Sequence, residues 1–208
     1  YAYCLLYDEY YEQAKWVFYS LNKNKINGPF SRSDKFKKDT LINTGSASHS
    51  DYKGYGYDRG HLAPAADMTW SKQAMDESFF YSNMSPQTPS FNRGVWRKLE
   101  SRIRKWVVDY DSLYITTGPV LDTNLTYIGK EVAVPDYFFK SIIGFKDSVV
   151  NAIAFILPNE GSKKNLEDFV VSIDSLETFS GLNLNAKTDA RLQDSLEKTT
   201  CFTCWNFD

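Results

Sequence analysis

The feature that most constrains this chain is a set of apolar residues at Val95, Trp96, Leu99, Ile103, Trp106 and Val107. Their i, i+3/i+4 spacing predicts one amphipathic helix from Phe91 to about Tyr110, whose stripe must be covered by another layer. Segments that can supply that layer lie on both sides of it. Residues 14–20, Leu113 to Thr117, Glu131 to Val134, Tyr137 to Phe145 and Val149 to Leu157 are dense in β-branched and aromatic residues and read as strands. Their short, turn-rich connections suit an antiparallel sheet. Shorter helices are expected from the Ser71 N-cap through Ser78, over Ser175 to Leu182 with a stop at Gly181, and over Asp189 to Lys198. Strands and helices are mixed without a βαβ rhythm, so the fold class is α+β.

The 208 residues show no repeat, low-complexity tract or Pro/Gly/Ser-rich linker, and residues 1–208 are read as one domain. An aromatic content of 16% supplies enough buried area per side chain to exclude disorder. The net charge of −2 excludes a uniformly basic, histone-like binder. It averages unequal regions. Residues 91–106 carry Arg93, Arg97, Lys98, Arg102, Arg104 and Lys105 against Glu100 alone, whereas residues 159–208 hold nine acids and five bases. A basic helix of this kind can contact phosphates independently of sequence. The longest apolar runs, such as Val149 to Pro158, are too short to cross a bilayer, so no membrane partner is expected.

The sharpest local pattern is Tyr57-Asp58-Arg59-Gly60-His61-Leu62-Ala63-Pro64. A histidine two residues after an arginine places a base and a fixed cation in one small volume. Neutral imidazole can take a proton from water, and a guanidinium fork matches phosphate oxygens. From Ser31 to Tyr57 the preceding chain is polar and Gly-rich and reads as an ordered loop. After the tetrad come Phe80-Tyr81-Ser82-Asn83-Met84-Ser85-Pro86-Gln87 and Phe91-Asn92-Arg93-Gly94, with Glu100 eight residues beyond Asn92. On an ideal helix that separation is roughly 80° past two turns and about 12 Å along the axis, so the two side chains share a broad face without touching.

The Asp-Arg-Gly-His tetrad, the Ser-Asn-Met-x-Pro-Gln stretch and an Asn heading a helix with a Glu eight residues later occur together in order. In this the chain resembles the DNA/RNA non-specific endonuclease family, the ββα-metal nucleases, over most of residues 14–185. The resemblance implies a mainly antiparallel central sheet flanked by helices and hydrolysis of phosphodiester bonds in DNA and RNA. It implies His61 as general base and Asn92 as the sole direct protein ligand of a catalytic Mg²⁺, with Mn²⁺ or another divalent cation as substitutes. Glu100 would hold metal-bound waters, Arg59 and Arg32 would clamp phosphate, and Asn83 would help to hold the histidine and substrate. Arg93 and Arg97 would add substrate contacts. Asp58 is read as orienting Arg59 or its loop by hydrogen bonds, the alternative being a second metal carboxylate. A homodimer and an inhibitor protein are further partners that this family admits. Other function classes consistent with the residues are a nucleic-acid-binding module without catalysis and a phosphodiesterase for smaller esters.

Of the cysteines, Cys4, Cys201 and Cys204, the last two have zinc-like spacing but no second pair beside them, and they stay open between a disulfide and free thiols. No nucleophile elbow, phosphate-binding Gly-rich loop or dinucleotide fingerprint is present. His49, between serines, is expected at the surface. The chain opens Tyr-Ala-Tyr-Cys, and any targeting segment is expected to have been removed before it. Export is the favoured compartment, because the cysteine pair tolerates oxidation and many members of the resembled family are exported.

Overall fold

The structure, a computed structural model, describes residues 2–186, 190–198 and 200–208, with the backbone alone for 190–192. Its frame is a six-stranded antiparallel sheet. In chain order its strands are β1 (Cys4–Asp8), β2 (Gln13–Leu21), β5 (Ser112–Pro119), β8 (Tyr137–Lys146), β9 (Val149–Pro158) and β10 (Val170–Val171), and they lie side by side in that order. Between β2 and β5 the chain leaves the sheet to build a separate pair, β3 (Asp58–His61) against β4 (Met84–Gln87). A second pair, β6 (Thr126–Ile128) with β7 (Val132–Val134), lies between β5 and β8 in sequence. The helices are α1 (His49–Tyr52), α2 (Lys72–Glu77), α3 (Arg97–Trp106), α4 (Ile173–Ser180) and α5 (Ala190–Lys198).

Alternation along the strands sorts the sheet into two buried faces. Tyr19, Ile115, Ile142 and Ile153 form one rung across β2, β5, β8 and β9, and all four are buried on the α3 side. The predicted helical stripe packs there: Val95, Trp96, Leu99, Ile103, Trp106 and Val107 are each at most 2% exposed. Trp96 lies 5.8 Å from Phe138 and Trp106 6.2 Å from Phe155, ring centre to ring centre. Burying Leu99 and Ile103 alone contributes about 1.5–3 kcal/mol each. On the opposite face Phe139, Ala152 and Ala154 meet Ile173 and Leu176 of α4 and Leu196 of α5.

The α+β architecture agrees with the sequence reading, and three details differ from it. The sheet gains an edge strand, β1, whose side chains alternate only between exposed and half-buried and whose sequence Cys-Leu-Leu-Tyr-Asp shows no polar–apolar alternation to betray it. The long helix stops at Trp106, and its first turns, Phe91–Trp96, follow a wider π-type path that breaks at Gly94 (φ −104°, ψ −111°). The straight-helix estimate of the Asn92–Glu100 offset therefore does not apply. The loop over residues 31–57 contains the single turn α1 and a parallel bridge from Lys37 to Phe80. α2 begins as expected, with Ser71 Oγ accepting from the Ala74 amide, and α4 ends at Gly181 in the left-handed region (φ +69°). Asp189, the expected start of α5, lies outside the described residues. Cys201 and Cys204 are joined in a disulfide and Cys4 is a free, exposed thiol.

Candidate active site

The Asp58–His61 tetrad is a short strand. Its register against β4 places Asp58 opposite Gln87 and His61 opposite Met84. Gly60 permits the pairing, since a Cβ there would lie 2.1 Å from the Gln87 side chain. The chain after β4 turns into the helix, so β3, β4 and the Phe91–Trp106 helix form one ββα unit on the sheet.

A cavity of about 300 Å³ opens beside this unit, and its walls include Arg32, Phe36, Asp58, Arg59, Asn92 and Arg93. Asp58 organises one wall. It accepts from Asn92 Nδ2 at 2.9 Å and from both fork nitrogens of Arg93 at 2.8 and 2.6 Å. These donors hold its carboxyl below the usual carboxylate range despite the opposing effect of burial. Asp58 thus orients Asn92 and Arg93; no bond joins it to Arg59. The Asn92 Oδ1 atom is left without a partner among the described residues. Arg59 spans the opposite wall, its guanidinium 3.8 Å from the centre of the Phe36 ring, with exposed His49 at 3.5 Å. Arg32 bonds to Asp34 at 2.6 Å and stands 4.9 Å over Phe79.

His61 is 8% exposed and lies behind Phe36, with ring centres 5.8 Å apart and Phe79 edge-on at 4.8 Å. Burial pushes its pKa down to about 3, and the charges of Arg32 and Arg59 add to the effect. The imidazole is therefore uncharged at neutral pH, and its Nε2 is buried without a hydrogen-bond partner among the described residues. Asn83 does not face the cavity. It is fully buried, and its carboxamide clamps the chain that follows the histidine, bonding the Ala63 amide and carbonyl at 2.9 Å each and the Ser78 carbonyl at 2.8 Å. Arg97 is also apart from the cavity, on the outer side of α3.

Glu100 lies below the site, and its carboxylate has no hydrogen-bond partner among the described residues. Burial raises its pKa, opposed chiefly by Lys140. Around it is a charged core that the motifs do not single out. Fully buried Lys140 occupies a sheet position two residues from Ile142, on the same face. Its Nζ donates to Thr117 Oγ1 at 3.1 Å and to the Leu62 carbonyl, next to His61, at 3.3 Å, and sits 4.3 Å over the Trp96 ring. Asp67, 1% exposed, accepts from Tyr19 Oη and from Arg104 Nη1, both at 2.9 Å. The signal for Lys140 was in the sequence: one charge inside the apolar strand Tyr-Phe-Phe-Lys-Ser-Ile-Ile. Among the described residues one carboxylate cluster has metal-binding proximity, Asp174, Glu177 and Glu197, and it shares no residue with the cavity.

A ββα unit thus brings a buried histidine, a carboxamide at the helix head and arginines to one cavity, and residues 1–191 match the family model described as DNA/RNA non-specific endonuclease. The chain belongs to this family. It is 34% identical over 197 residues to "Endonuclease G, mitochondrial" of Homo sapiens, covering 87% of this chain and 66% of that protein. It is 38% identical over 184 residues to "Nuclease 1, mitochondrial" of Schizosaccharomyces pombe, covering 79% and 56%. The chain thus spans about half to two thirds of the length of these relatives. A solved structure titled "Crystal structure of the EndoG/EndoGI complex: Mechanism of EndoG inhibition" matches with a TM-score of 0.83 and 31% identity, over 90% of this chain and 84% of that one. The expectation of export finds no support here, since these curated relatives are named as mitochondrial. No helix among the described residues is long and apolar enough to cross a membrane.

Proposed function

We propose that the chain is a divalent-metal-dependent endonuclease that hydrolyses phosphodiester bonds in DNA and RNA without selecting the sugar. The observation that carries this reading is the uncharged His61, buried beside a cavity lined by Arg32, Arg59 and Asn92, whose side-chain oxygen has no partner among the described residues. That oxygen suits Mg²⁺ or Mn²⁺, which favour oxygen donors and keep several waters. Asn92 would hold the ion directly and Glu100, whose carboxylate has no hydrogen-bond partner among the described residues, would hold its waters. When bound, the ion supplies Lewis-acid stabilisation of the leaving oxygen.

The remaining steps belong to the protein. Arg59 and Arg32 draw the scissile phosphate into the cavity, with Arg59 exchanging its Phe36 contact for phosphate oxygens. Movement of Phe36 opens a path to His61, whose imidazole takes the proton of water as the water oxygen bonds to phosphorus. The phosphorus–O3′ bond breaks, leaving a 5′-phosphate and a 3′-hydroxyl protonated from solvent. Asn83 and Lys140 hold the backbone that follows His61, so the base stays in register.

Plasmid DNA and RNA incubated with Mg²⁺, with and without chelator, test the reading. Cleavage with the metal alone, and a loss of about 10²–10⁴-fold in His61→Ala, are expected. Full activity in His61→Ala overturns the mechanism. Metal-insensitive DNA binding without cleavage would make the chain a binding module instead.

A further inference from the structure

The outer side of α3 carries a second groove, of about 610 Å³, separate from the cavity. Arg97, Lys98, Arg102 and Lys105 form its helical wall, and Lys163 and Lys164 close it from a segment more than 50 residues further along the chain. One carboxylate, Glu167, shares this lining with six cations. Among the described residues none of the six makes a salt bridge, whereas Arg93 and Arg104 of the same helical segment are both held by aspartates. Only Arg102 of the six has a side-chain hydrogen bond among the described residues, donating to the carbonyls of Asn206 and Asp208. Six mutually repelling cations facing one groove gain most from a ligand that brings several negative charges at once.

The arrangement is linear. Arg97 to Lys105 covers about 12 Å of helix axis. A duplex strand presents a phosphate every ~3.4 Å along its axis, so about three fit the span. Arg93, four residues before Arg97, already lines the catalytic cavity, which makes the two sites neighbours along one helix. Apolar contributions to the groove are limited to Leu166 and Phe207, little for a folded protein partner to anchor on.

We propose that this groove is a second, backbone-tracking site for the phosphodiester polyanion, engaging the part of the nucleic acid that flanks the scissile bond. The proposal rests on the endonuclease reading, and it assigns the groove to substrate length and salt dependence and the cavity to bond cleavage.

The test compares wild type with a Lys163→Ala, Lys164→Ala double variant, and with Lys198→Ala as a charge control outside the groove. Binding of a fluorescent 30-base-pair DNA is measured in chelator over a salt series. The double variant should bind more weakly, with the slope of log affinity against log salt reduced by about 2, while Lys198→Ala keeps the wild-type slope. With Mg²⁺, KM for plasmid should rise at least threefold more than KM for a dinucleotide-length diester. Lys163→Arg with Lys164→Arg should restore binding, which separates lost charge from lost folding. An unchanged slope, or equal losses on both substrate lengths, overturns the proposal. So does a variant that keeps DNA affinity but loses binding to polyglutamate, which would make the groove a surface for an acidic protein. If wild type cleaves nothing, the endonuclease reading fails, and the chelator measurements still decide whether the groove binds polyphosphate.

Discussion

On its inner face α3 presents Glu100 and Arg104 to a core in which Asp67 is shared by Arg104 and Tyr19, and Lys140 is shared by Leu62 and Thr117. Its outer face presents Arg97, Lys98 and Lys105 to solvent with no ion pair among the described residues. Charge density alone does not separate the two faces; the cost of desolvation does. A charge taken out of water must be matched by fixed partners, and those partners then fix the backbone they belong to. A charge left in water keeps its mobility and remains available to a ligand. One helix thereby commits its charges to the core on one side and leaves them accessible on the other.

The comparison can be broken first on the inner side. Asp67→Ala leaves the buried Tyr19 hydroxyl without its acceptor and the half-buried Arg104 without its ion pair, and a loss of about 3–5 kcal/mol in denaturant-derived stability is expected. A loss below 1 kcal/mol would mean that the inner charges are no more committed than the outer ones.

A smaller effect sharpens the same contrast through pH. His61 titrates at about 3 when folded and near its ordinary 6.5 when unfolded. Between those values the unfolded chain binds a proton that the native state refuses, so stability is intact above pH 6.5 and drains as pH falls towards 3. From pH 7 to pH 5, wild type should lose roughly 2 kcal/mol more than His61→Asn in parallel urea titrations. Parallel curves for the two proteins would show that burial does not hold the imidazole neutral.

The smallest effect belongs to the outer face. Lys98→Gln should change stability by no more than about 0.5 kcal/mol. In the salt series its DNA-binding slope should fall by about 1. A substantial change in melting temperature would assign Lys98 a structural part.

Much of this was legible from residue order. The stripe from Val95 to Val107 is wholly buried, and the strands at Tyr137 and Val149 begin where β-branched and aromatic density begins, because periodicity reports burial directly. The ββα order of tetrad, Asn92 and Glu100 was also readable, as these residues are close in sequence. The break at Gly94 was not, because the apolar spacing runs through it unchanged. Nor was the task of Asn83, whose side chain could turn to substrate or to backbone until the packing of Ala63 and Ser78 around it was known. The pairing of Asp58 with Arg93, and the closure of the outer groove by Lys163 and Lys164, are products of tertiary approach that local spacing does not encode.

The tether from Lys140 to the Leu62 carbonyl spans 78 residues. In folding terms it is a late contact. β3 and β4 close across a short stretch of chain, but β8 reaches Leu62 only once the large sheet has assembled around it, and loop-closure entropy delays such distant contacts. Ordering of the strand that carries His61 is therefore coupled to completion of the whole sheet. The sequence motif is a shorter object than the unit that positions it, and a graft of residues 58–106 alone would carry the pattern without its anchor.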